Sequence, residues 1–213
     1  MIEGDETPRR AYRSARRALQ VDATRQAILT AARRLFRERG YPRTTIAAIA
    51  AEADLAVPTV YKHFGSKRRL LLDLIDATIN VRVPSQLATV TAEPAPRERV
   101  AALARMCVIL ASAAPDVVSV VLNAVVADPE LGAMFRDMAE GRRRSAALIA
   151  RSLAAEGSLR RDVSEERARD VMFALAGPDM YEVLVTRFGW SDDEFEAWLS
   201  ETLAIALLEP QNG

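Results

Sequence analysis

Apolar residues recur three and four positions apart along most of the chain, a spacing that places them on one side of an α-helix. The first clear stripe lies between Asp22, which can cap a helix start, and Gly40, which can end one. Its members are Ile28, Ala31, Ala32, Leu35 and Phe36. The pattern predicts a helix over residues 22–40.

Two short helices joined by a tight turn are predicted next. Thr44 or Thr45 caps the first of them, whose stripe consists of Ile46, Ile49, Ala50 and Ala53. A turn at Asp54 leads to a third helix over Val57–Phe64, where Pro58 fits the first turn because a proline there loses no hydrogen bond. Together with the preceding helix, this pair predicts a helix-turn-helix.

Helical spacing continues to the end of the chain. A fourth helix is predicted from Ser66 to about Val81, and the proline-bearing segment Pro84–Arg99 is expected to be a connection. Further helices are predicted over Arg97–Ala113, Asp116–Ala127, Leu131–Glu156, Ser164–Phe188 and Asp192–Leu208, with a break at Pro178. No alternating stretch is long enough for a sheet, so the fold class is all-α.

The charge is unevenly divided between the two parts of the chain. Residues 1–72 hold 15 Lys and Arg against 7 Asp and Glu, while the remainder holds 14 against 22. A basic N-terminal third suits a polyanion, although a solvated charged surface would give the same count. Residues 1–21, with five arginines and little apolar content, are expected to form a disordered basic arm.

The third predicted helix has one apolar side and one side suited to DNA. At about 100° per residue, Val60 and Phe64 face the core and Lys62 lies opposite them. Lysine can reach guanine in a major groove, and small apolar groups suit a thymine methyl. A surface helix of mixed polarity is the alternative. Lys67, Arg68 and Arg69 oppose the dipole at the start of the fourth helix, which a nearby phosphate would compensate.

The segment Thr44–Lys67, and above all its Thr-Val-Tyr-Lys-His-Phe-Gly-Ser-Lys end, resembles the TetR/AcrR family of bacterial transcriptional regulators. The resemblance covers about residues 22–82 closely and the rest of the chain more weakly. It implies that Thr45, Thr59, Tyr61 and Lys67 contact phosphates. The full set of expected DNA-binding residues is Thr44, Thr45, Val57, Pro58, Thr59, Tyr61, Lys62, His63 and Lys67.

The chain departs from many relatives at two positions of the helix-turn-helix. Asp54 stands where many carry glycine, so the turn can differ, and Ala56 stands where many carry serine, so the third helix lacks a side-chain cap. Neither departure removes the motif.

The resemblance implies three segments and one function. Residues 1–21 form the arm, 22–82 the DNA-binding domain with its helix-turn-helix at 45–64, and 83–213 a helical bundle for ligand binding and dimerisation. The implied protein is a cytoplasmic homodimeric repressor that a small apolar effector releases from double-stranded operator DNA. The alternatives are an activator or ligand-independent regulator of the same fold, and a small-molecule-binding protein that no longer binds DNA.

Enzymatic and metal chemistry finds little support in the sequence. His63 is the only histidine and Cys107 the only cysteine, which leaves no Ser-His-Asp triad in the C-terminal part, no typical zinc site and no disulfide. No cofactor, metal or catalytic activity is therefore expected. The apolar runs are also too short for a membrane span.

The C-terminal part is expected to hold the effector pocket and the dimer interface. Met and aromatic residues suit an adaptable cavity, although such residues are more often plain core. The candidates are Met106, Met134, Phe135, Met172, Phe173, Tyr181 and Trp190, with Arg105, Asn123 and Asp137 as polar candidates. The apolar stripe of the last helix, from Phe195 to Leu207, is expected to pair with Ser164–Phe188 and their symmetry mates in a four-helix interface.

Overall fold

The computed structural model describes residues 7–210, with side chains over 19–133 and 135–210, and the regular structure of that range is helical. One isolated antiparallel bridge joins Leu159 to Leu208. The helices are α1 (Thr7–Arg39), α2 (Ile46–Glu52), α3 (Val57–Phe64), α4 (Lys67–Thr78), α5 (Val83–Ala92), α6 (Pro96–Ser112), α7 (Pro115–Ala127), α8 (Pro129–Ala155), α9 (Glu165–Leu175), α10 (Pro178–Tyr181) and α11 (Asp192–Leu207). The described range thus confirms the all-α fold class.

Helix α1 begins much earlier than expected, at Thr7 rather than at Asp22. The expectation of a disordered arm is therefore wrong for residues 7–21, and residues 1–6 lie outside the described part of the chain. Residues 9–21 contain no glycine or proline and consist largely of alanine, arginine and other good helix formers. Once a helix exists downstream, such a segment extends it without a new nucleation step.

The chain divides into two compact units, Met1–Leu74 and Ile75–Gly213. In the N-terminal unit, α1, α2, α3 and the start of α4 bury a small core. Its fully buried large side chains are Ile28, Leu35, Phe36, Ile49, Leu70 and Leu71. In the C-terminal unit, residues of α6, α8, α9 and α11 form the main hydrophobic cluster.

The segment between α4 and α6 differs from the expected connection. Helix α4 ends at Thr78, short of Val81, and a 3₁₀ turn over Asn80–Arg82 leads into α5. Pro84 lies in the first turn of α5, where its missing N–H costs nothing, so it marks a helix start. The prediction of a break at Pro178 is confirmed, because α9 ends at Leu175 and α10 starts at Pro178. A π-helical stretch over Glu182–Arg187 follows α10.

The apolar stripe of α11 lies inside its own unit. Phe195, Leu199, Leu203 and Leu207 are each fully buried within the single chain, and α11 packs chiefly against α6. The expected role of this stripe as the seam of a dimer is therefore wrong for these four residues, whereas Trp198 is half-buried. A single helix stripe cannot reveal from sequence whether its partner belongs to the same chain. No single described helix has the length and apolarity to span a membrane, although α6 and α7 pass that test as a pair bent by 84°.

Candidate nucleic-acid interface

Helix α3 has the two sides that its sequence predicts. Val60 is fully buried and Phe64 is 4% exposed, whereas Tyr61 is 51% exposed and Lys62 and Pro58 face solvent. Val57 is also exposed, and Thr59 and His63 are half-buried on the flanks. The exposed side therefore offers an ammonium, a phenol and two small apolar groups on one short helix. These groups match the donors and methyl contacts that a major groove accepts.

The turn before α3 is tight and carries mild backbone strain. Asp54 has φ of 54°, the left-handed conformation that favours glycine, and Leu55 donates its N–H to the Ala50 carbonyl at 2.9 Å. Aspartate tolerates this conformation better than most residues. The sequence departure at Asp54 therefore keeps the left-handed turn. Ala56 provides no side-chain cap to α3, as its sequence predicts.

Phe64 connects α3 to α1 through a cation–π contact with Arg25. The guanidinium of Arg25 lies over the Phe64 ring at 4.7 Å and donates to Asp73 of α4 at 2.8 Å. Asp73 is buried, and its other carboxylate oxygen pairs with Arg69 at 2.9 Å. This arrangement ties α1, α3 and α4 together on the side of α3 that faces away from solvent. No sequence pattern indicates this arrangement, because the partners lie far apart along the chain.

Thr44 and Thr45 have different roles at the start of α2. The Thr45 side chain accepts the Ala48 N–H at 3.1 Å and caps the helix, while the residue stays exposed. Thr44 is 1% exposed, and its hydroxyl points to the Leu35 and Gly40 carbonyls at 3.1 and 2.9 Å. The expectation that the Thr44 side chain binds DNA is wrong, because its hydroxyl is enclosed at the end of α1. Adjacent threonines cannot be told apart by a capping rule alone.

Lys67 is bound to the loop between α1 and α2. Its Nζ donates to the carbonyls of Tyr41, Thr44 and Pro42 at 2.9, 3.0 and 3.4 Å, and it lies 4.2 Å from the centre of the Tyr41 ring. An ammonium has three donors, and three carbonyls lie within hydrogen-bond distance of this one. A phosphate contact by the side chain would have to replace some of these bonds, and the expected contact stays a prediction. Lys67 holds the loop that leads into α2.

The cations at the start of α4 also have internal partners. Ser66 caps the helix, accepting the Arg69 N–H at 3.1 Å, which confirms the predicted start. Arg69 then pairs with Asp73 one turn later. For Lys67 and Arg69, contacts within the unit therefore offset the dipole penalty. Among the expected DNA-binding residues, Thr45, Val57, Pro58, Tyr61 and Lys62 are exposed, and Thr59 and His63 are half-buried. Their contact with DNA stays a prediction.

The effector-pocket candidates lie mostly in the core of the C-terminal unit. Met106, Met172 and Tyr181 are buried members of the cluster, and Phe173 and Trp190 pack against it; Phe135 is half-buried, and the Met134 side chain lies outside the described residues. Among the polar candidates, Arg105 is half-buried and Asn123 and Asp137 are exposed. Their role in ligand binding remains a prediction.

Several polar groups are embedded among these core residues. Arg142 stacks on Phe173 at 4.7 Å, and burial lowers the pKa of its guanidinium. Cys107 donates its S–H to the Ala176 carbonyl at 3.4 Å, and burial raises the pKa of the thiol to about 12, so it stays protonated at neutral pH. Tyr181 donates to Asp192 at 2.6 Å, and burial with this bond raises the pKa of the phenol. The interior of this unit therefore holds polar groups from α6, α8 and α10.

The sequence of the N-terminal unit matches a known family of bacterial regulators. Residues 28–74 match the sequence model described as bacterial regulatory proteins, tetR family. Over 75 residues the chain is 36% identical to the HTH-type transcriptional regulator HbdR of Aromatoleum sp. (strain CIB), covering 33% of this chain and 32% of that one. Over 95 residues it is 32% identical to the regulator BetI of Rhizobium meliloti (strain 1021), covering 45% and 47%. These matches span between a third and half of each relative.

Solved structures extend the likeness in fold to both units. A putative transcriptional regulator from Saccharomonospora viridis in complex with choline has a TM-score of 0.70 at 23% identity, covering 89% of this chain and all of that one. The regulator FadR from Bacillus subtilis in complex with stearoyl-CoA has a TM-score of 0.74 at 17% identity, covering 85% and 98%. At such identities the likeness concerns the fold alone.

Proposed function

We propose that this chain, which belongs to the TetR family of bacterial regulatory proteins, represses transcription by binding an operator and releases it when a small molecule binds. The observation that carries this proposal is the exposed side of α3. Lys62 and Tyr61 are exposed to solvent on this side, while the opposite side of the same helix is buried. A solvent-exposed cation and phenol on a braced short helix have the placement that base-edge contacts require. The protein acts in the cytoplasm, where operator DNA is found.

Different residues make the contacts to base edges and the contacts to phosphates. Lys62 donates to guanine O6 and N7, while Val57 and Pro58 offer apolar contacts to thymine methyl groups. Tyr61, Thr59 and Thr45 approach phosphates and set the register of α3 on the duplex. Lys67 contributes indirectly by fixing the loop before α2, and Arg25 by supporting Phe64.

A homodimer gives this single helix enough contacts for specificity. Two copies related by a two-fold axis place two α3 helices on half-sites about one helical turn apart, or a multiple of it, on a near-palindromic operator. The dimer surface lies on the C-terminal unit, outside the buried stripe of α11. Exposed apolar side chains of that unit include Leu148, Phe188 and Ile205.

The C-terminal unit binds the effector. Structures of similar fold contain choline and stearoyl-CoA, which supports a ligand role for this unit without indicating its ligand. Helix α4 begins beside the loop before α2 and contains the boundary between the two units, so a ligand that displaces it changes the separation of the α3 helices. Coupling of this kind is typically about 1–3 kcal/mol and must be reciprocal.

A salt titration on DNA fragments tests the proposal against its rivals. A regulator should bind one promoter fragment far more tightly than random DNA, with an affinity that falls steeply as salt rises. Equal, weak binding to all fragments would favour the alternative of a small-molecule-binding protein that no longer reads DNA. Specific binding that no ligand affects would favour a ligand-independent regulator, and increased transcription from the bound promoter would favour an activator.

A further inference from the structure

Glu182 is a buried acid that lacks a full set of partners. It is 6% exposed, at the start of the π-helical stretch that follows α10. One carboxylate oxygen, Oε1, accepts the Ser119 hydroxyl of α7 at 3.3 Å. The other, Oε2, is buried without a hydrogen-bond partner among the described residues.

The other buried charged side chains show that this situation is unusual in the chain. Asp73 pairs with both Arg25 and Arg69. Arg99 donates to the Glu93 and Pro94 carbonyls, to Ser152 and to Glu156 at distances between 2.9 and 3.2 Å. A buried carboxylate oxygen without a hydrogen-bond partner costs free energy, so the position of Glu182 needs a reason beyond packing.

The ion pair between Glu182 and Arg187 is long and leaves Oε2 without a partner among the described residues. The Nε of Arg187 lies 3.9 Å from Oε1, beyond hydrogen-bond distance, and the Arg187 side chain is 63% exposed. The two residues lie five positions apart, a spacing that a π-helix brings toward the same side. The Phe188 N–H donates to the Val183 carbonyl at 3.1 Å, which is the five-residue bond of that geometry. Such wide turns are rare in proteins, and those that occur often lie at functional sites.

The surroundings of Glu182 fit the body of an organic cation. Ser119 and Leu122 share one side of α7 by their spacing, and Leu122 is half-buried. Val183 and Val185 of the π-helical stretch are also half-buried. One carboxylate and one hydroxyl are too few oxygen ligands for calcium, and the negative charge repels an anion. An ammonium group attached to an apolar body would give the free oxygen a donor and could contact these half-buried aliphatic side chains.

We propose that Glu182 is the anchor of an effector site between α7 and the π-helical stretch, and that the effector is an amphipathic amine bound as its ammonium. The N–H of the ammonium donates to Oε2, and the apolar body packs on Leu122 and Val185. This assignment rests on the proposed function, since it names the ligand class to which the C-terminal unit responds. It refines the expected apolar effector by adding one positive charge.

The test is calorimetric binding of matched ligand pairs to the full-length protein. Benzyl-, phenethyl- and 4-phenylbutylammonium are each compared with the alcohol of the same length in the wild type, in E182Q and in E201Q. Glu201 is exposed on α11, so E201Q makes the same charge change away from the site. In the wild type, at least one ammonium should bind about 30-fold or more tightly than its alcohol, equivalent to about 2 kcal/mol. E182Q should remove that preference and E201Q should keep it.

The proposal is overturned if no ammonium exceeds its alcohol in the wild type, if E182Q keeps the preference, or if E201Q loses it equally. Operator affinity is measured on the same samples. E182Q should bind the operator as tightly as the wild type while ignoring the ammonium. Because calorimetry detects the site without DNA, an ammonium preference in a protein that binds no operator would contradict the proposed function and leave this site standing.

Discussion

The side chains of Lys62 and Tyr61 on α3 and of Lys67 on α4 differ in ways that measurements can separate. Lys62 and Tyr61 are free to reach the duplex, whereas Lys67 is held by loop carbonyls. A residue that reads a base changes sequence preference, and a residue that holds the fold changes stability. The sequence indicated all three as DNA ligands because a motif match reports which residue types recur and gives no information on what each side chain touches.

Replacing Lys62 by alanine should relax the preference for one base pair in each half-site. The loss of donors to guanine should cost about 1–3 kcal/mol on the preferred operator and much less on operators already changed at that pair. Affinities for a set of single-base-pair operator variants measure this. Arg37→Ala, an exposed cation on α1, serves as the control and should leave the ranking of the variants intact. An unchanged ranking in Lys62→Ala would show that this lysine does not read a base.

Replacing Lys67 by methionine should destabilise the protein. Methionine is unbranched and one atom shorter than lysine, and it lacks the charged hydrogen bonds to the Tyr41 and Thr44 carbonyls. Their loss should lower the free energy of unfolding by about 1.5–3 kcal/mol. Urea denaturation measures this loss, and binding should weaken alike for every sequence. A phosphate contact would behave differently, since it would reduce the salt dependence by about one charge while leaving stability unchanged.

At the scale of helices and turns, the sequence is most informative where a capping residue marks an end. Ser66, Ser164 and Ser191 each accept a backbone N–H at the start of a helix close to its predicted position. The sequence was misleading where no such marker exists. Residues 7–21 have no stop signal, and Pro84 fits a loop and a first helical turn equally well. Helix α5 and the extension of α1 therefore could not be predicted from the pattern.

The start of α3 lacks a side-chain cap, so adding one tests its effect on the stability of the protein. Ala56 has the extended backbone of a capping residue, with φ of −73° and ψ of 141°, but no side-chain acceptor. Ala56→Ser should raise the free energy of unfolding by about 0.5–1.5 kcal/mol. Thr45→Ala, which removes the existing cap of α2, should lower it by a similar amount. If Ala56→Ser leaves the denaturation midpoint unchanged, α3 does not start as described.

At the scale of the whole molecule, buried and exposed apolar surfaces determine what each helix can contribute. The large buried side chains of the α11 stripe belong to the core, so the proposed dimer would have to use other surface of the C-terminal unit. The partners of Glu182 could not be predicted from the sequence, because one acid among apolar residues does not indicate whether a partner lies nearby in the fold. The exposed residues of α3 could be predicted, since their alternation with Val60 and Phe64 follows directly from helical periodicity.

A dimer is expected in solution. Sedimentation at micromolar concentration should give twice the chain mass of 23.4 kDa. Ile205→Asp, which charges an exposed apolar position of α11 without touching the core, tests whether this side of the helix lies in the interface. If Ile205→Asp sediments as a monomer, this side of α11 lies in the dimer interface. A monomeric wild type would contradict the proposed binding to a near-palindromic operator.

The central claim is that α3 reads a specific operator, and a base-protection map of the DNA upstream of the protein's own gene tests it most directly. The wild type should protect a near-palindromic site whose two halves are separated by about one helical turn or a multiple of it. Lys62→Ala, at a concentration that restores occupancy, should protect the same site with reduced discrimination at one base pair per half. Uniform weak protection across the fragment, identical in the two proteins, would contradict the account.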